Sequence, residues 1–279
     1  VLAVLAGAFI AAGAIFATTV SAGGAVLPYG VGRLLSGLAF CLGLIMVIVA
    51  GAELFTGNNL IVMAWAAGKV TTQKLLRNWL IVYLGNFAGA VLTAFIVFIS
   101  KQYLSGNGAV GLAAISTANA KVGLEFSQAF ALGILCNALV CLAVWLTFSA
   151  RSTADKILGI IFPITAFVAA GFEHSIANMY FIPMGLLIKS YAGPAFWQLK
   201  AVVDSGLSPE KLAGLTWGNF FVKNLLPVTL GNIIGGALMV GLVYWFAYLR
   251  PRHQHVAEPP AAVPAASGPV SQPSPTRSR

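Results

Sequence analysis

Six apolar blocks, each about as long as a bilayer is thick or longer, divide the first 250 residues of the chain. They cover residues 1–20, 33–67, 78–100, 125–149, 157–189 and 219–249. A transmembrane helix needs about 20 apolar residues, so the second and fifth blocks are too long for one uninterrupted span. Only 8% of the 279 residues are charged, against about 25% in soluble domains. The sequence therefore predicts an all-α membrane protein with six transmembrane helices.

The two long blocks contain the same motif. Residues 51–59 read GAELFTGNN and residues 171–179 read GFEHSIANM, so both strings place Gly, Glu and Asn at the same offsets. The blocks that follow share a second motif, which reads LGNFAG at 84–89 and LGNIIG at 230–235. Each half then has three spans, and because three is odd the second half must insert in the opposite orientation. These features predict two inverted three-helix repeats with one broken helix in each, and a permeation site near the membrane midplane.

A helix break leaves backbone groups that lipid cannot satisfy, so each break must face protein or a water-filled cavity. We expect the helix to resume near Gly57 in one block and near Ile176 in the other. The positive ends of both half-helices would then be directed at the centre, which favours an anion. His174 is the one histidine within residues 1–250. We predict that it is functional, with Thr56 of the other break as its hydrogen-bond partner.

The remaining polar residues of the motifs are expected to be mainly structural. We expect Glu53 and Glu173 to accept the unpaired backbone amides of their own breaks, with proton transfer as the alternative role. Four asparagines recur with the repeat and are expected to bridge gaps in the backbone hydrogen bonding: Asn58, Asn86, Asn178 and Asn232. Lys121, in the segment STANAKVG, is either a solvated loop residue or a cation that attracts anions to a pore mouth.

Large apolar side chains flank both breaks: Phe40, Leu44, Leu54 and Phe167. One interpretation is ordinary helix packing. The other is an apolar constriction on either side of His174 that excludes hydrated ions. Because these side chains lie beside the breaks rather than between uninterrupted helices, the pattern favours the constriction.

The two ends of the chain differ in character from the spans. Residues 251–279 are rich in Pro, Ala and Ser, which predicts a disordered tail with His253 and His255 in solvent. Residues 1–250 then form the transmembrane channel domain. Because Val1 already lies in an apolar run, we expect a natural N-terminal segment to be missing. The three cysteines lie inside apolar blocks, which predicts packing and neither a disulfide nor a metal site: Cys41, Cys136 and Cys141.

Basic residues mark one side of the membrane. They concentrate in two links and at the start of the tail: Lys69, Lys74, Arg77, Arg151, Lys156, Arg250 and Arg252. With six spans these regions share a side, which the positive-inside rule assigns to the cytoplasm. We therefore predict a multi-pass protein of the inner (cytoplasmic) membrane with a cytoplasmic C-terminus. The formal net charge of +9 fits anionic lipid and an anionic solute, and no nucleic-acid partner is expected.

Long strings of the sequence resemble the formate/nitrite transporter family, and its formate channels most. GAELFTGNN resembles the family's first helix break, and GFEHSIANMYFIPMG resembles its second. Three further strings match in order within residues 1–250: PYGVGRLLSGLAFCLGLIMVIVAGAELFT, GILCNALVCLAVW and LPVTLGNIIGGALMVGLVYW. The resemblance implies an aquaporin-like protomer of six spans with its own pore, assembled as a homopentamer. It also implies a cytoplasmic N-terminal segment that gates some members.

The resemblance also implies roles for individual positions. His174 corresponds to the family's central histidine, Thr56 to its break threonine, Lys121 to its vestibule lysine and Asn137 to a pore-lining asparagine. The family's apolar slits fall on Phe40, Leu44, Leu54 and Phe167. Formate channels more often read ADLFTS where this chain reads AELFTGN. Nitrite and hydrosulfide therefore stay as alternative substrates, although the second half and the loops favour formate.

The predicted function is pH-dependent passage of formate and similar small monovalent anions, with no cofactor. A bare anion crosses an apolar slit only at high cost, whereas a neutral acid crosses cheaply. Formate would be drawn in near Lys121 and pass His174 and Thr56 either as formic acid or as a briefly held anion. A passive channel and proton-coupled transport both stay open. The rival interpretations are a membrane enzyme with Glu173 and His174 as an acid–base pair, and a pore for a neutral solute.

Overall fold

The computed structural model describes residues 1–23 and 27–250. Within these residues, six helical segments are long and apolar enough to cross a membrane, as the sequence predicts. The first half of the chain contains α1 (Leu2–Ser21), α2 (Tyr29–Ala50), α3 (Phe55–Asn58), α4 (Val62–Ala66) and α5 (Thr72–Ile99). One turn of 3₁₀-helix joins α3 to α4, so these short helices form one half-helix after the first break.

The second half repeats this order after an additional helix, α6 (Ala109–Val122). The sequence interpretation is wrong here, because it treats residues 101–124 as a link between spans. The other helices of this half are α7 (Phe126–Thr147), α8 (Thr153–Ala170), α9 (Ser175–Tyr191), α10 (Gly193–Trp197), α11 (Lys200–Ser205), α12 (Trp217–Asn219) and α13 (Leu226–Ile233). In the last span, wider π-type turns follow α12 and α13. The predicted tail, residues 251–279, lies outside the described residues.

Both long blocks break at the glycine of their shared motif. The residue that ends α2 is Gly51, with φ +73°, and the residue that ends α8 is Gly171, with φ +79°. Glycine adopts this left-handed conformation without the steric penalty of a Cβ atom. The backbone is extended again at Leu54 and His174. The half-helices α3 and α9 begin at the next residue, within two positions of the predicted restarts.

The two halves are inverted with respect to each other. Near the start of α2, Arg33 Nε donates to the carbonyl of Ala169 at the end of α8, at 2.9 Å. Two turns later, Cys41 Sγ lies 3.5 Å from the carbonyl oxygen of Ile161. Residue numbers therefore rise along α2 and fall along α8, so the helices are antiparallel. Because α2 and α8 hold the same place in their halves, the halves cross the membrane in opposite directions.

The last glycine of the LGN-x2-G motif permits a close approach of helices. A Cβ atom on Gly89 of α5 would lie 2.0 Å from the Val4 carbonyl oxygen of α1. A Cβ atom on Gly235 in the last span would lie 2.1 Å from the Ile134 carbonyl oxygen of α7. Both distances are too short for any side chain, and close contact at small residues is the usual way in which helices pack within a membrane. The motif therefore brings each third span against the first span of its own half.

Candidate functional site

One buried asparagine holds the backbone of the first break. Asn86 Oδ1 accepts from the amide of Phe55 at 2.9 Å. Its Nδ2 donates to the carbonyls of Ala3 at 2.7 Å and Glu53 at 2.9 Å. The side chain therefore satisfies groups on both sides of the break and ties them to α1. This confirms the prediction that Asn86 bridges a gap in the backbone hydrogen bonding.

Asn232 repeats this arrangement at the second break. Its Oδ1 accepts from the amide of Ser175 at 2.9 Å, and its Nδ2 donates to the carbonyls of Gly133 at 2.8 Å and Glu173 at 3.0 Å. The prediction that Asn232 bridges a gap in the backbone hydrogen bonding is therefore also confirmed. The residues that carry the site chemistry are therefore attached to rigid spans on both sides.

The carboxylate of Glu173 binds side chains and not the backbone amides that the sequence interpretation assigns to it. Its Oε1 accepts from the ammonium of Lys121 at 2.6 Å, and its Oε2 accepts from Asn178 at 2.7 Å and Asn224 at 3.1 Å. A buried carboxylate needs partners of this kind, because desolvation of an unpaired charge costs several kcal/mol. Lys121 lies in the last turn of α6 with its side chain 14% exposed. The interpretation of Lys121 as a solvated loop residue is therefore wrong.

The first break contains a related but incomplete cluster. Asn58 Nδ2 donates to the carboxylate of Glu53 and, at 3.0 Å, to Asn78 Oδ1. Within residues 1–23 and 27–250, Glu53 has no cation as an ion-pair partner. Asn58 and its counterpart Asn178 therefore bind carboxylates, and the prediction that they bridge the backbone is wrong for both.

His174 and Thr56 meet between the two breaks. Thr56 Oγ1 lies 2.9 Å from His174 Nε2, which is the contact that the sequence interpretation anticipates. The amide of Ala177 donates to Nδ1 of the same ring at 3.0 Å, so in a neutral ring the proton is on Nε2. Nε2 then donates to the threonine oxygen, and the hydroxyl hydrogen of Thr56 is left to donate elsewhere. Both side chains are buried, with exposed fractions of 0% for Thr56 and 3% for His174.

Asn137 of α7 connects the two breaks from the side. Its Nδ2 lies 3.2 Å from the carbonyl oxygen of Thr56, 2.7 Å from that of Asn232 and 2.9 Å from Asn59 Oδ1. Its Oδ1 is buried without a hydrogen-bond partner among the described residues. Asn137 therefore positions Thr56 through the backbone, and it lines neither of the two cavities described next.

Two cavities approach the Thr56–His174 contact from opposite ends. The first, of about 310 Å³, is lined by Arg33, Lys121, Glu173 and His174 among others, and we call it the polar cavity. The second, of about 300 Å³, is lined almost entirely by apolar side chains, and we call it the apolar cavity: Leu44, Val47, Ile48, Ala52, Leu54, Gly57, Asn58, Leu60, Ile61, Met63, Val144 and Phe148. His174 lines the first and both neighbours of Phe55–Thr56 line the second, so this contact separates them.

The predicted constriction residues lie around this separation. Phe40 and Phe167 line the polar cavity, with ring centroids 5.7 Å apart, and Phe167 stacks on the His174 ring at 5.9 Å. Leu44, one helical turn after Phe40, lines the apolar cavity together with Leu54. All four apolar side chains are at most 3% exposed. The structure therefore brings the four residues to the two sides of the Thr56–His174 contact.

The sequence interpretation misses three residues of this region. Asn78 and Asn224 bind the side chains of the carboxylate clusters, and Arg33 lines the polar cavity. The two asparagines leave a signal that extends the LGN motif, since both halves read N-x5-L-G-N. Arg33 leaves no such signal, because the position 120 residues later in the other half is Thr153.

Comparisons with known proteins agree with this architecture. Residues 1–246 match the family model described as formate/nitrite transporter. The chain is 48% identical over 254 residues to the formate channel FocA of Escherichia coli strain K12, which covers 91% of this chain and 87% of that protein. It is 46% identical to FocA of Haemophilus influenzae, with 85% and 82% covered. A solved pentameric formate channel with formate bound superposes with a TM-score of 0.82 at 47% identity, covering 89% of this chain and 96% of its own.

These relatives are channels and transporters, which excludes the rival interpretation of a membrane enzyme that uses Glu173 and His174. The inverted six-span fold, the paired breaks and the match over residues 1–246 point to one conclusion. The chain is a multi-pass membrane protein that belongs to the formate/nitrite transporter family.

Proposed function

We propose that this protein carries formate and similar small monovalent anions across the membrane through a pore within each protomer. The observation that carries the proposal is the hydrogen bond between Thr56 and His174. It separates a polar from an apolar cavity in a chain 48% identical to a formate channel. Small anions suit this site because N–H and O–H donors surround it while apolar rings exclude hydrated ions.

The path follows the two cavities. An anion enters the polar cavity beside Lys121, reaches His174 between the rings of Phe40 and Phe167, and exchanges hydrogen bonds with Thr56. It leaves past the leucines of the apolar cavity. An unpaired charge is costly in such surroundings, so the imidazole N–H and the threonine O–H stabilise the solute at the narrowest level. Two further residues hold this machinery in place: Asn137, behind the cavities, donates to the backbone carbonyl of Thr56, and Glu173, in the wall of the polar cavity, holds Lys121.

Two forms of the solute satisfy this geometry, and they differ in whether a proton crosses. Formate accepts hydrogen bonds from both donors, whereas neutral formic acid crosses the apolar level at lower cost. We propose pH-dependent permeation, because the ratio of anion to neutral acid depends on pH and the imidazole of His174 is the group that contacts either form at the narrowest level. Measurement of internal pH during uptake distinguishes a passive anion channel from coupled transport.

Proteoliposome uptake tests the proposal. Purified protein is expected to take up formate at a rate that depends on pH, because the ratio of neutral acid to anion changes with pH. His174→Phe, which preserves ring volume, is expected to lower the rate at least tenfold and to remove the pH response. Thr56→Val is expected to lower the rate, and Thr56→Ser, which keeps the hydroxyl, to retain it. Unchanged uptake and an unchanged pH profile in His174→Phe would refute the role of the imidazole.

Nitrite and hydrosulfide belong in the same assay. They are small monovalent anions, and the AELFTGN string keeps them as alternative substrates. We expect formate to be preferred, since both FocA relatives are formate channels. A wild-type protein that takes up nitrite or hydrosulfide faster than formate contradicts this preference.

We propose a homopentamer, as in the solved relative that is titled a pentameric formate channel. Each protomer contains its own pore, so its outer apolar faces must contact lipid or neighbouring copies. Many large apolar side chains of α2, α5 and the last span are exposed on the single chain. Mass measurement of the protein in mild detergent tests this, and a population of monomers or trimers alone refutes it.

The proposed location is the inner (cytoplasmic) membrane with the C-terminus on the cytoplasmic side. The support is the concentration of basic residues in two links, 67–71 with its flanks and 148–152 with its flanks, and around Arg250. A reporter enzyme fused after residue 279, active only in one compartment, gives the orientation. A reporter signal from the periplasm would overturn it.

A further inference from the structure

Four side chains that carry charge or titrate line the polar cavity: Arg33, Lys121, Glu173 and His174. They come from three elements, the helices α2 and α6 and the break between α8 and α9, which carries both Glu173 and His174. Two are cations and one is a carboxylate, so with a neutral imidazole this wall carries one net positive charge. The contacts of Arg33 and Lys121 show which of these two cations supplies the net positive charge.

The charge of Lys121 is already compensated. Its ammonium lies 2.6 Å from the Glu173 carboxylate and 5.5 Å from the ring centre of Phe181. Asn224 Nδ2 also donates to its backbone carbonyl at 2.9 Å, which fixes the end of α6. An anion in the cavity therefore meets Lys121 and Glu173 as a close pair, whose opposite charges largely cancel at a distance.

Among the described residues, the guanidinium of Arg33 donates only to backbone carbonyls. Its Nε donates to Ala169 at 2.9 Å and its Nη2 to Val168 at 2.5 Å. Within the described residues it makes no ion pair. The two carbonyls belong to the last turn of α8, where the helix dipole gives them partial negative charge. Helix-end carbonyls offset a unit charge only in part, so a positive excess stays at the wall.

We propose that Arg33 supplies the net positive charge that draws anions into the polar cavity, and that it is a specificity-determining residue for permeation. This inference rests on the proposed function and extends it. Arg33 also caps α8 at the point where the break begins, since a Cβ atom on Gly171 would lie 3.2 Å from its Nη2. The same guanidinium therefore positions the segment that carries Glu173 and His174.

The apolar cavity lacks an equivalent group. Thr153 occupies the position that corresponds to Arg33 in the other half, and no charged side chain of the described part of the chain is among the residues that line this cavity. Among the described residues that line the two cavities, charged side chains are therefore found in the polar cavity only. Anions are drawn in from the side of the polar cavity, and neutral or hydrogen-bonded solute leaves through the other.

Three variants test the proposal in proteoliposomes. Arg33→Gln removes the charge and keeps an amide that can donate to the α8 carbonyls, and Arg33→Lys keeps the charge and loses the planar fork. Lys101→Gln is the matched control: it removes one exposed positive charge near the end of α5. Its neighbour Gln102 contacts Thr19 at the end of α1, which places it on the same face of the protein.

The readout is the formate concentration at half-maximal uptake, measured at low and high ionic strength. The Debye length falls from about 30 Å at 0.01 M to about 3 Å at 1 M, so attraction by a fixed charge is lost at high salt. Arg33→Gln is expected to raise this concentration about fivefold or more at low salt and less than twofold at high salt. Arg33→Lys is expected to stay within about twofold of wild type, and Lys101→Gln to show no salt-dependent change.

Two outcomes overturn the inference. If Arg33→Gln and Arg33→Lys are impaired equally at every ionic strength, the residue is only a cap for α8. If Arg33→Gln matches Lys101→Gln, its charge does not act on the solute. Wild-type protein that takes up formate, nitrite and hydrosulfide no faster than empty liposomes overturns the proposed function instead, and removes the basis of this inference with it.

Discussion

Asn232→Leu is the substitution that tests most directly how the second break is held. Leucine has nearly the same volume and fills the same space, so the change removes hydrogen bonds and leaves packing almost intact. Asn232 makes three hydrogen bonds to backbone groups, those of Ser175, Gly133 and Glu173, at 2.8 to 3.0 Å. The side chain is fully buried, so water cannot replace them.

The expected cost follows from these three contacts. A hydrogen bond contributes about 1 kcal/mol net, and a buried backbone group left without a partner costs about 1–3 kcal/mol. Three groups at the lower end of that range give about 3 kcal/mol, with about 5 kcal/mol if the break cannot relax. Loss of this order is large against the total stability of a folded protein, about 5–15 kcal/mol.

The repeat provides a matched comparison. Asn86→Leu removes three contacts of the same kind, to Phe55, Ala3 and Glu53, so a similar cost is expected. Asn219→Ala serves as the control, because this partly exposed residue makes one side-chain hydrogen bond, to the carbonyl of Gly214. Its expected cost is below about 1 kcal/mol.

Unfolding in mixed detergent micelles, followed by circular dichroism, measures these costs. Formate uptake by the same variants separates stability from function, since of the three asparagines compared only Asn232 fixes the segment next to His174. The reasoning is refuted if Asn232→Leu destabilises the protein no more than Asn219→Ala. It is also refuted if the two leucine variants differ by more than about 2 kcal/mol, because the contacts that each removes are equivalent.

Two further predictions concern the polar cavity and the glycine breaks. Lys121→Ala is expected to weaken uptake most at low ionic strength, where an unpaired Glu173 carboxylate repels anions. The second substitution Glu173→Gln in the same chain should restore most of the rate. A loss of uptake that is equal at all salt concentrations would contradict the electrostatic explanation. Gly51→Ala and Gly171→Ala are each expected to cost about 1–2 kcal/mol, because alanine is strained at positive φ. Gly171→Ala should cost more, since only its Cβ atom has a neighbour within 4 Å; thermal unfolding of the two variants provides the comparison.

The repeat motifs predict the fold because they combine composition with symmetry. Span length gives the six helices, and the glycine of each G-x-E motif gives the position of each break. Asn86 and Asn232 could be assigned to the breaks because both halves repeat them at the same offset. The additional helix α6 escapes prediction, because a segment of moderate hydropathy between two spans reads as a link from its sequence.

Site residues can be predicted from the sequence only where a polar side chain lies within an apolar segment. His174 and Thr56 do so, because polar side chains are rare in apolar spans. The partner of Glu173 does not, because Lys121 lies 52 positions away in a segment that carries no motif. Arg33 is similarly hidden: its role depends on the end of α8, 135 positions later in the chain. Contacts of this kind depend on the packing of helices and not on local pattern.

The inverted repeat explains why the two cavities differ. Positions 51–58 and 171–178 correspond with an offset of 120, so Thr56 matches Ile176 and Leu54 matches His174. The symmetry that relates the halves therefore converts the Thr56–His174 pair into an Ile176–Leu54 pair. Both pairs are buried, but one can donate hydrogen bonds and the other cannot. The repeat keeps Gly, Glu and Asn where the backbone needs them, and it diverges at the positions that meet at the centre.

This divergence gives the path a direction. His174 lines the polar cavity, and Leu54 in the matching position lines the apolar one. A solute therefore exchanges water for N–H and O–H donors on one side of the narrow level, and meets almost entirely apolar side chains on the other. Restoring symmetry by Leu54→His would place a second imidazole beside the apolar cavity. We expect this variant to admit water and to lose its selectivity for small anions over neutral solutes such as glycerol. If the variant still excludes glycerol, the apolar side chains of Leu44 and Phe40 are sufficient for exclusion without Leu54.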